Sequence, residues 1–584
     1  MAHSAMPAQW NEDPSEQLRA LRDEVLKQKE FPTHTTAAFM VKAWDAVDQL
    51  PPDWFPRERT ETLALIARFF YLDGQTQPAI ESAAKAVEAA VLGKHGDLEI
   101  VARARHGVAL RLAFDFSGAT RELVHAMEIA RQRGAADWEA KLLNSLGNTY
   151  SDAGLQYEAL ALFERAATFF ESSADHLSAW MALDNAALAA MRLGEIGQAI
   201  AFAERATRNW GDEPRNADER LWVVQGALTN CQLLIQVGRT DEAVERARSA
   251  RAVAEDSETA VAREFAALAE AISRFAADTG NREAMHRIVD AADGPSSYWI
   301  ALDAVIRTYE ATGRFDEALA MQQRLLEFTR RQKSEEVRRV FGEGLSSEES
   351  EGAARLTRFG REIQKRISGL VDIAINQSLR AGYDHARVFR LGRLTELFAS
   401  SLAWSPEKTE QIALAAKLLD IGNIAVSSEL LTKRRNLSDG ERSIVAEHTK
   451  FGADLLANGR LELLQACVPI VRFHSERWDG GGPEGLVGED IPVEARVVAL
   501  CDSFDSLTHE RPWRPSQSPQ VALHTIEMDA GTHFDPQLAR RFVEWLREEL
   551  ANADDFVDLL DAEASGNEYI QVRNRLNQLM RKPA

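Results

Sequence analysis

The sequence predicts an all-α protein in more than one part, and three observations carry that reading. A helix–turn–helix unit recurs through the first half, marked by glycines at 74, 118, 154, 194, 238, 280 and 313, spaced 33 to 44 residues apart. A period of this size is the mark of a helical solenoid. A charged stretch at 329–365 interrupts it. Beyond that, five stretches place apolar residues at the 3, 4, 7 spacing of one helical face and set a histidine or aspartate among them.

Composition narrows the function classes. At 584 residues the chain fits roughly two to four domains. A formal net charge of −22 argues against a general nucleic-acid binder, which would present a basic face. There is no positive-then-apolar leader pattern and no run of about 18 apolar residues, so neither a signal peptide nor a membrane partner is expected. Cys231, Cys467 and Cys501 lie far apart in apolar helical stretches, the pattern of buried free thiols in a cytoplasmic protein.

In chain order, residues 1–50 read as helical without a chemical signal. The clearest repeat is LGNTYSDAGLQYEALALFERA, with Leu146, Gly147, Tyr150, Gly154, Tyr157, Ala159, Phe163 and Ala166 as one hairpin. Small residues let two helices approach, and large ones fill the gaps between them. GRTDEAVERA from Gly238 and GRFDEALAMQ from Gly313 repeat the second helix. These residues resemble the tetratricopeptide repeat, with longer spacers than usual; the likeness is weaker around Gly118 and Gly280. It implies a TPR-like α-superhelix over 1–328 whose concave face binds a protein or peptide. Residues 329–365 read as a charged hinge between two exposed helical stretches, or as a dimerising helix that would make a homodimer. Residues 551–584 read as an acidic tail ending in a polar helix.

Residues 366–550 carry the chemistry. His385 shares a stripe with Val388, Phe389 and Gly392. Asp420 ends a helix, with Gly422 as the stop. His448 aligns with Ile444, Phe451 and Gly452, and His474 with Cys467, Ile470 and Val471. Asp502 lies inside the apolar run Val497 to Leu507. An acid inside an apolar helix must find a partner, a proton or a metal. One such histidine is an ordinary core residue; three histidines and two aspartates on separate inward faces suit iron, manganese, zinc or nickel. After His474 comes Trp478-Asp479-Gly480-Gly481-Gly482-Pro483, a loop that needs glycine.

The stretches LLDIGNI, EHTKFGADLL, FHSERWDGGGPEGLVGEDIP, ARVVALCDSFDSLTHERPWR and GTHFDP, in that order, resemble the HD-GYP domain of the HD phosphohydrolase superfamily. The resemblance implies an HD-GYP-type helical domain, hydrolysis of cyclic di-GMP, and two or three metals. It places His385, Asp420, His448, His474 and Asp502 at ligand positions, and Asp479, Gly480, Gly482, Pro483 and Arg511 in or beside the substrate loop. Gly422, Trp478, Asp505, Thr508 and Pro512 match its frame. Five positions depart from it. The family's His-Asp pair reads Leu419-Asp420, its phosphate-contacting lysine is Asn423, its paired histidines read His474-Ser475, a glutamate of some members is Ala381, and the tyrosine of the Gly-Tyr-Pro loop is missing.

With Asp420 bridging, the first metal would keep His385, Asp420 and Asp502, and the second Asp420, His448 and His474. The expectation is therefore a bacterial-type intracellular signalling protein: a repeat module for a protein or peptide, joined to a catalytically impaired domain. That domain would hold a divalent metal, iron or manganese, at partial occupancy or not at all. The alternatives are an active cyclic-di-GMP phosphodiesterase using the remaining ligands, and a non-enzymatic helical-repeat adaptor. Asp505 is expected to bond a neighbouring helix, His509 to be exposed, and GTHFDPQL to be a structural turn.

Overall fold

Repeated apolar stripes too narrow to be stable alone must stack, and the chain builds successive antiparallel helices to bury them. The computed structural model describes residues 14–27, 34–50, 53–72, 75–113, 115–209, 217–255, 260–278, 281–292, 295–342, 353–433, 437–457, 461–510, 514–552 and 556–581. Among these the fold is all-α, with one isolated bridge, Ala530 to Phe534.

The tetratricopeptide-like hairpins are built from α1 (Pro14–Lys27), α2 (His34–Asp48), α3 (Pro56–Leu72), α4 (Thr76–Leu92), α5 (Gly96–Leu112), α6 (Phe116–Gln132), α7 (Ala136–Asp152), α8 (Gln156–Ser172), α9 (His176–Arg192), α10 (Ile196–Asn209), α11 (Ala217–Gln236), α12 (Thr240–Glu255), α13 (Ala260–Ala276), α14 (Arg282–Ala291), α15 (Pro295–Ala311) and α16 (Phe315–Gly342). Then follow α17 (Ala353–Arg380), α18 (Arg387–Ser401), α19 (Pro406–Lys417), α20 (Ser428–Leu431), α21 (Asp439–Ala457), α22 (Glu462–Phe473), α23 (Val493–Thr508), α24 (Pro519–Met528), α25 (Pro536–Asn552), α26 (Phe556–Asp561) and α27 (Glu568–Arg581).

The α7–α8 hairpin shows why small residues recur. A Cβ on Gly147 would stand 2.5 Å from the Phe163 ring, so only glycine lets the helices close. Ala159, Phe163 and Ala166 are buried beside it, whereas Tyr157, expected to fill the hairpin, is exposed. Gly154, Gly194, Gly238 and Gly313 turn the chain at φ between +73° and +82°, which side chains rarely adopt. Gly118 departs from the expected pattern. It lies in the first turn of α6, where its N–H donates to the capping Asp115 carboxylate at 2.7 Å. Gly74 and Gly280 lie outside the described residues.

The chain divides into two compact units. One comprises Met1–Ala190, Glu204–Trp210 and Gln571–Ala584; the other comprises Met191–Ala203 and Gly211–Ile570. In the second unit, Leu326 of α16 packs with Ile444, Phe451 and Leu455 of α21, and Arg330 donates to Glu447 at 2.9 Å. The last repeat helix therefore lies directly on a helix of the candidate site. Of the expected hinge, α16 runs on to Gly342 and α17 starts at Ala353, and most of its Gly-Glu-Gly and Ser/Glu centre is outside the described residues. The three cysteines are free and buried. No described helix is long and apolar enough to cross a membrane.

Candidate metal centre

A close backbone approach sets the site. After α19 the chain tightens into a 3-10 turn, Ile421–Ala425, and presses against α21. A Cβ on Gly422 would fall 1.9 Å from the His448 carbonyl oxygen and 2.6 Å from the Gly452 nitrogen, so no other residue fits there. This holds Asp420 beside His448, with His448 Nε2 3.8 Å from Asp420 Oδ1. His474 ends α22 with its ring 5.4 Å from that of His448. Asp420, His448 and His474 thus offer three ligand atoms within 4.8 Å of one another.

The hydrogen bonds of the two histidines prepare them as ligands. His448 Nδ1 lies 2.7 Å from the Val445 carbonyl, and His474 Nδ1 2.9 Å from that of Val471. A carbonyl only accepts, so each Nδ1 carries a proton and Nε2 is the ring nitrogen left as the ligand atom. Burial, together with His448 nearby, pushes the His474 pKa down to about 4, so its imidazole is neutral near pH 7. A carboxylate oxygen and two imidazole nitrogens make a three-ligand set that fits one divalent cation. Such a cation supplies Lewis acidity and an activated water to phosphoester hydrolysis.

The other half of the expected centre is organised differently. His385 is exposed and lies before α18 begins, so the inward stripe read from its spacing is not the one that forms. Arg387, 2 % exposed, takes the interior instead. Its Nη1 donates to Asp505 at 2.7 Å, and its Nη2 to Asp502 at 2.5 Å and Asp420 at 3.3 Å. Tyr383 covers the guanidinium, ring centroid to Cζ 3.6 Å. One turn on, Arg390 donates to Asp505 at 2.7 Å, to Asp384 at 2.9 Å and to Asp561 at 3.1 Å. Burial works against Asp384, but Arg390 outweighs it and holds the carboxyl down to about 2. Burial also disfavours the charge on Arg387, and the surrounding Asp502, Asp420 and Asp505 carboxylates overcome it and keep it protonated. Burial raises the Asp502 pKa against the pull of Arg387. Asp420 therefore gives one oxygen to the histidines and the other to a guanidinium. A metal between His385, Asp420 and Asp502 does not fit this arrangement, since His385 is outside and Arg387 fills the gap between the acids.

Sequence reasoning expected Asp505 to bond a neighbouring helix, and it bonds α18 through both arginines. It expected His509 to be exposed; the ring is instead half-buried, its Nδ1 3.0 Å from the Asp505 carbonyl. The site of the missing histidine is a buried Leu419, and Asn423 is buried with its carbonyl bound by Arg380 at 3.0 Å.

The glycine loop is tied at both sides. Glu476, which follows the His474-Ser475 pair, is buried and accepts from Glu484 N at 2.6 Å and Leu486 N at 3.0 Å. Gly482 leans on it so closely that a Cβ would meet the Glu476 Cα at 2.6 Å. Asp479 is held by Arg477 and by the Gly481 N–H, which together lower its carboxyl to about 2. Gly480 turns at φ +83°. Trp478 N and Asp479 N donate to the carbonyls of His533 and Thr532, so the GTHFDP segment acts as the expected structural turn. Pro483 is exposed on the loop; Arg511 and Pro512 lie outside the described residues.

Residues 370–538 match the family model described as HD domain. The chain is 36 % identical over 159 residues to the cyclic di-GMP phosphodiesterase response regulator RpfG of Xanthomonas campestris pv. campestris, a stretch covering 27 % of this chain and 42 % of that one. It is 32 % identical over 165 residues to a cyclic di-GMP phosphodiesterase of Thermotoga maritima, covering 28 % and 45 %. To 3'3'-cGAMP-specific phosphodiesterase 2 of Vibrio cholerae it is 28 % identical over 185 residues, covering 32 % and 35 %. The chain thus spans less than half the length of these relatives. A solved Rap protein complexed with competence and sporulation factor aligns with 56 % of this chain and 89 % of its own, at 12 % identity and a TM-score of 0.44. The chain carries an HD domain at 370–538, and that segment has HD-GYP cyclic-di-GMP phosphodiesterases among its relatives.

Proposed function

We propose that this is a regulatory protein of bacterial signalling type, with residues 1–328 as a module for a protein or peptide and 366–550 as an impaired HD-GYP-type domain. Its site takes one divalent cation, iron or manganese, on Asp420, His448 and His474. A cyclic dinucleotide of the di-GMP class is its ligand. The observation that carries this reading is Arg387, whose guanidinium stands among Asp420, Asp502 and Asp505. A two-metal displacement needs a cation on each side of the transferring phosphoryl group. A guanidinium supplies charge but no Lewis acidity and no activated water, so turnover falls. The buried Leu419 and Asn423 point the same way.

The test is hydrolysis of cyclic di-GMP with manganese or ferrous iron, followed by its linear products. The expected rate is at least about a hundredfold below that of a two-metal relative, the scale set by losing ligands and their support. A rate equal to such a relative, abolished by Asp420→Ala, would establish the active phosphodiesterase reading instead. The preorganised histidine pair is the one feature that favours that alternative.

A further inference from the structure

The last helix is the part of the chain that the site does not use. From Gln571 onward it belongs to the unit of the early repeats. Its Val572 and Leu576 are buried and share a face with half-buried Leu579 and Met580. Arg573 donates to Glu158 of α8 at 3.0 Å and lies over the Tyr150 ring of α7 at 4.9 Å. At the helix end, Arg131 of α6 donates to the Leu579 carbonyl at 3.0 Å, and Arg165 of α8 to the Met580 carbonyl at 2.5 Å. Behind them sits Glu139 of α7, 7 % exposed, ion-paired to Arg131 and 3.9 Å from Arg165.

A helix leaves its last four carbonyls without intrahelical partners, and its C-terminus carries partial negative charge. Two arginines steered onto consecutive terminal carbonyls by a buried carboxylate satisfy both needs at once. Charge-assisted bonds of this kind are among the stronger ones. The apolar face and the Arg573–Glu158 pair fix the register.

We infer that the α6–α8 face is a receptor for the C-terminal end of an amphipathic helix, and that residues 571–581 are its resident ligand. An external helix binds there only by displacing them. It would carry apolar residues four and seven or eight positions apart, a basic residue to meet Glu158, and free terminal carbonyls for Arg131 and Arg165. This does not depend on the metal centre.

The test uses the full chain and a fluorescent peptide of residues 568–581. The wild type should bind it weakly. Leu576→Asp, which undocks the resident helix, should bind it about tenfold or more tightly, since hydrogen bonds to charged groups are worth that much. Adding Arg131→Ala and Arg165→Ala should remove the gain. In parallel, Arg573→Glu should raise amide exchange across 571–581 about tenfold, and Glu158→Arg on top of it should restore protection. Equal peptide binding by wild type and Leu576→Asp, no binding by either, or exchange at 571–581 indifferent to Arg573→Glu would each overturn the inference.

Discussion

The α7–α8 hairpin and the α18–α23 contact are both helix packings, yet they are held in opposite ways. Where Gly147 meets Phe163 in the hairpin the neighbours are Ala and Leu, and that contact is stabilised by apolar burial, while the buried Glu139 of α7 pairs with Arg131. Between α18 and α23 the interior holds Arg387, Arg390 and Asp505, each 2 % exposed. There buried charges satisfy one another inside an apolar core that both helices share, which stabilises little but makes removal of either partner severe. The repeats also contain a counter-example. Asp184 of α9 is buried with no cation paired to it among the described residues, and burial pushes its pKa up to about 7. One buried acid thus answers by taking a proton, and three others by sharing a guanidinium.

The largest effect expected from this contrast is in the charged interior. Arg387→Met should cost about 3–5 kcal/mol in urea denaturation, because it leaves Asp420, Asp502 and Asp505 facing one another. A loss below about 1 kcal/mol would show that the acids do not depend on it. In the hairpin, Phe163→Ala should cost a similar 3–5 kcal/mol by a different route, the cavity left against Gly147. Its loss should be insensitive to pH.

Asp184→Asn separates the two regions by sign. The folded pKa of Asp184, about 7, lies above its ordinary 3.8, so the stability that goes with its proton is complete below about pH 4 and lost as pH rises through 7. The asparagine variant should match the wild type near pH 4 and exceed it at pH 8, by up to about 4 kcal/mol. Equal stability at both pH values would remove the neutral-acid reading. Gly422→Ala should cost about 1–3 kcal/mol by overpacking against the His448 carbonyl, and should also weaken cation retention. The smallest effects are caps. Asp115→Ala at α6 and Ser405→Ala at α19 should each cost about 1 kcal/mol in thermal denaturation, alike in both regions.

The repeats were legible because their signal is local. The turns at Gly154, Gly194, Gly238 and Gly313 need positive φ, and glycine announces it. His448 and His474 were legible for a related reason, since each lies on or at the end of a helix whose apolar stripe fixes its direction, while Asp420, three residues past α19, is set by the Gly422 turn that follows it. His385 failed because α18 starts two residues later, and helical spacing says nothing about a residue outside the helix. Arg387 and Arg390 were passed over because an arginine beside an apolar stripe ordinarily runs its stem along the surface with its head in water. The clue was present in the charge balance. Asp420, Asp502 and Asp505 all lie in apolar surroundings and require a counter-charge, and two arginines three residues apart on one helix face can provide it. The C-terminal helix was read as polar and left without a role, because its few apolar residues show their purpose only beside Glu139, Arg131 and Arg165.

The most direct measurement is metal content per chain, by elemental analysis of protein purified without chelator and then reconstituted with manganese or ferrous iron. The account predicts no more than one metal, lost in His474→Ala and retained in Asp502→Asn, because Asp502 belongs to Arg387. Replacing Leu419→His and Ser475→His together should raise the content. Two metals in the wild type, or loss of the single metal on Asp502→Asn, would contradict the assignment of Arg387 as the internal cation.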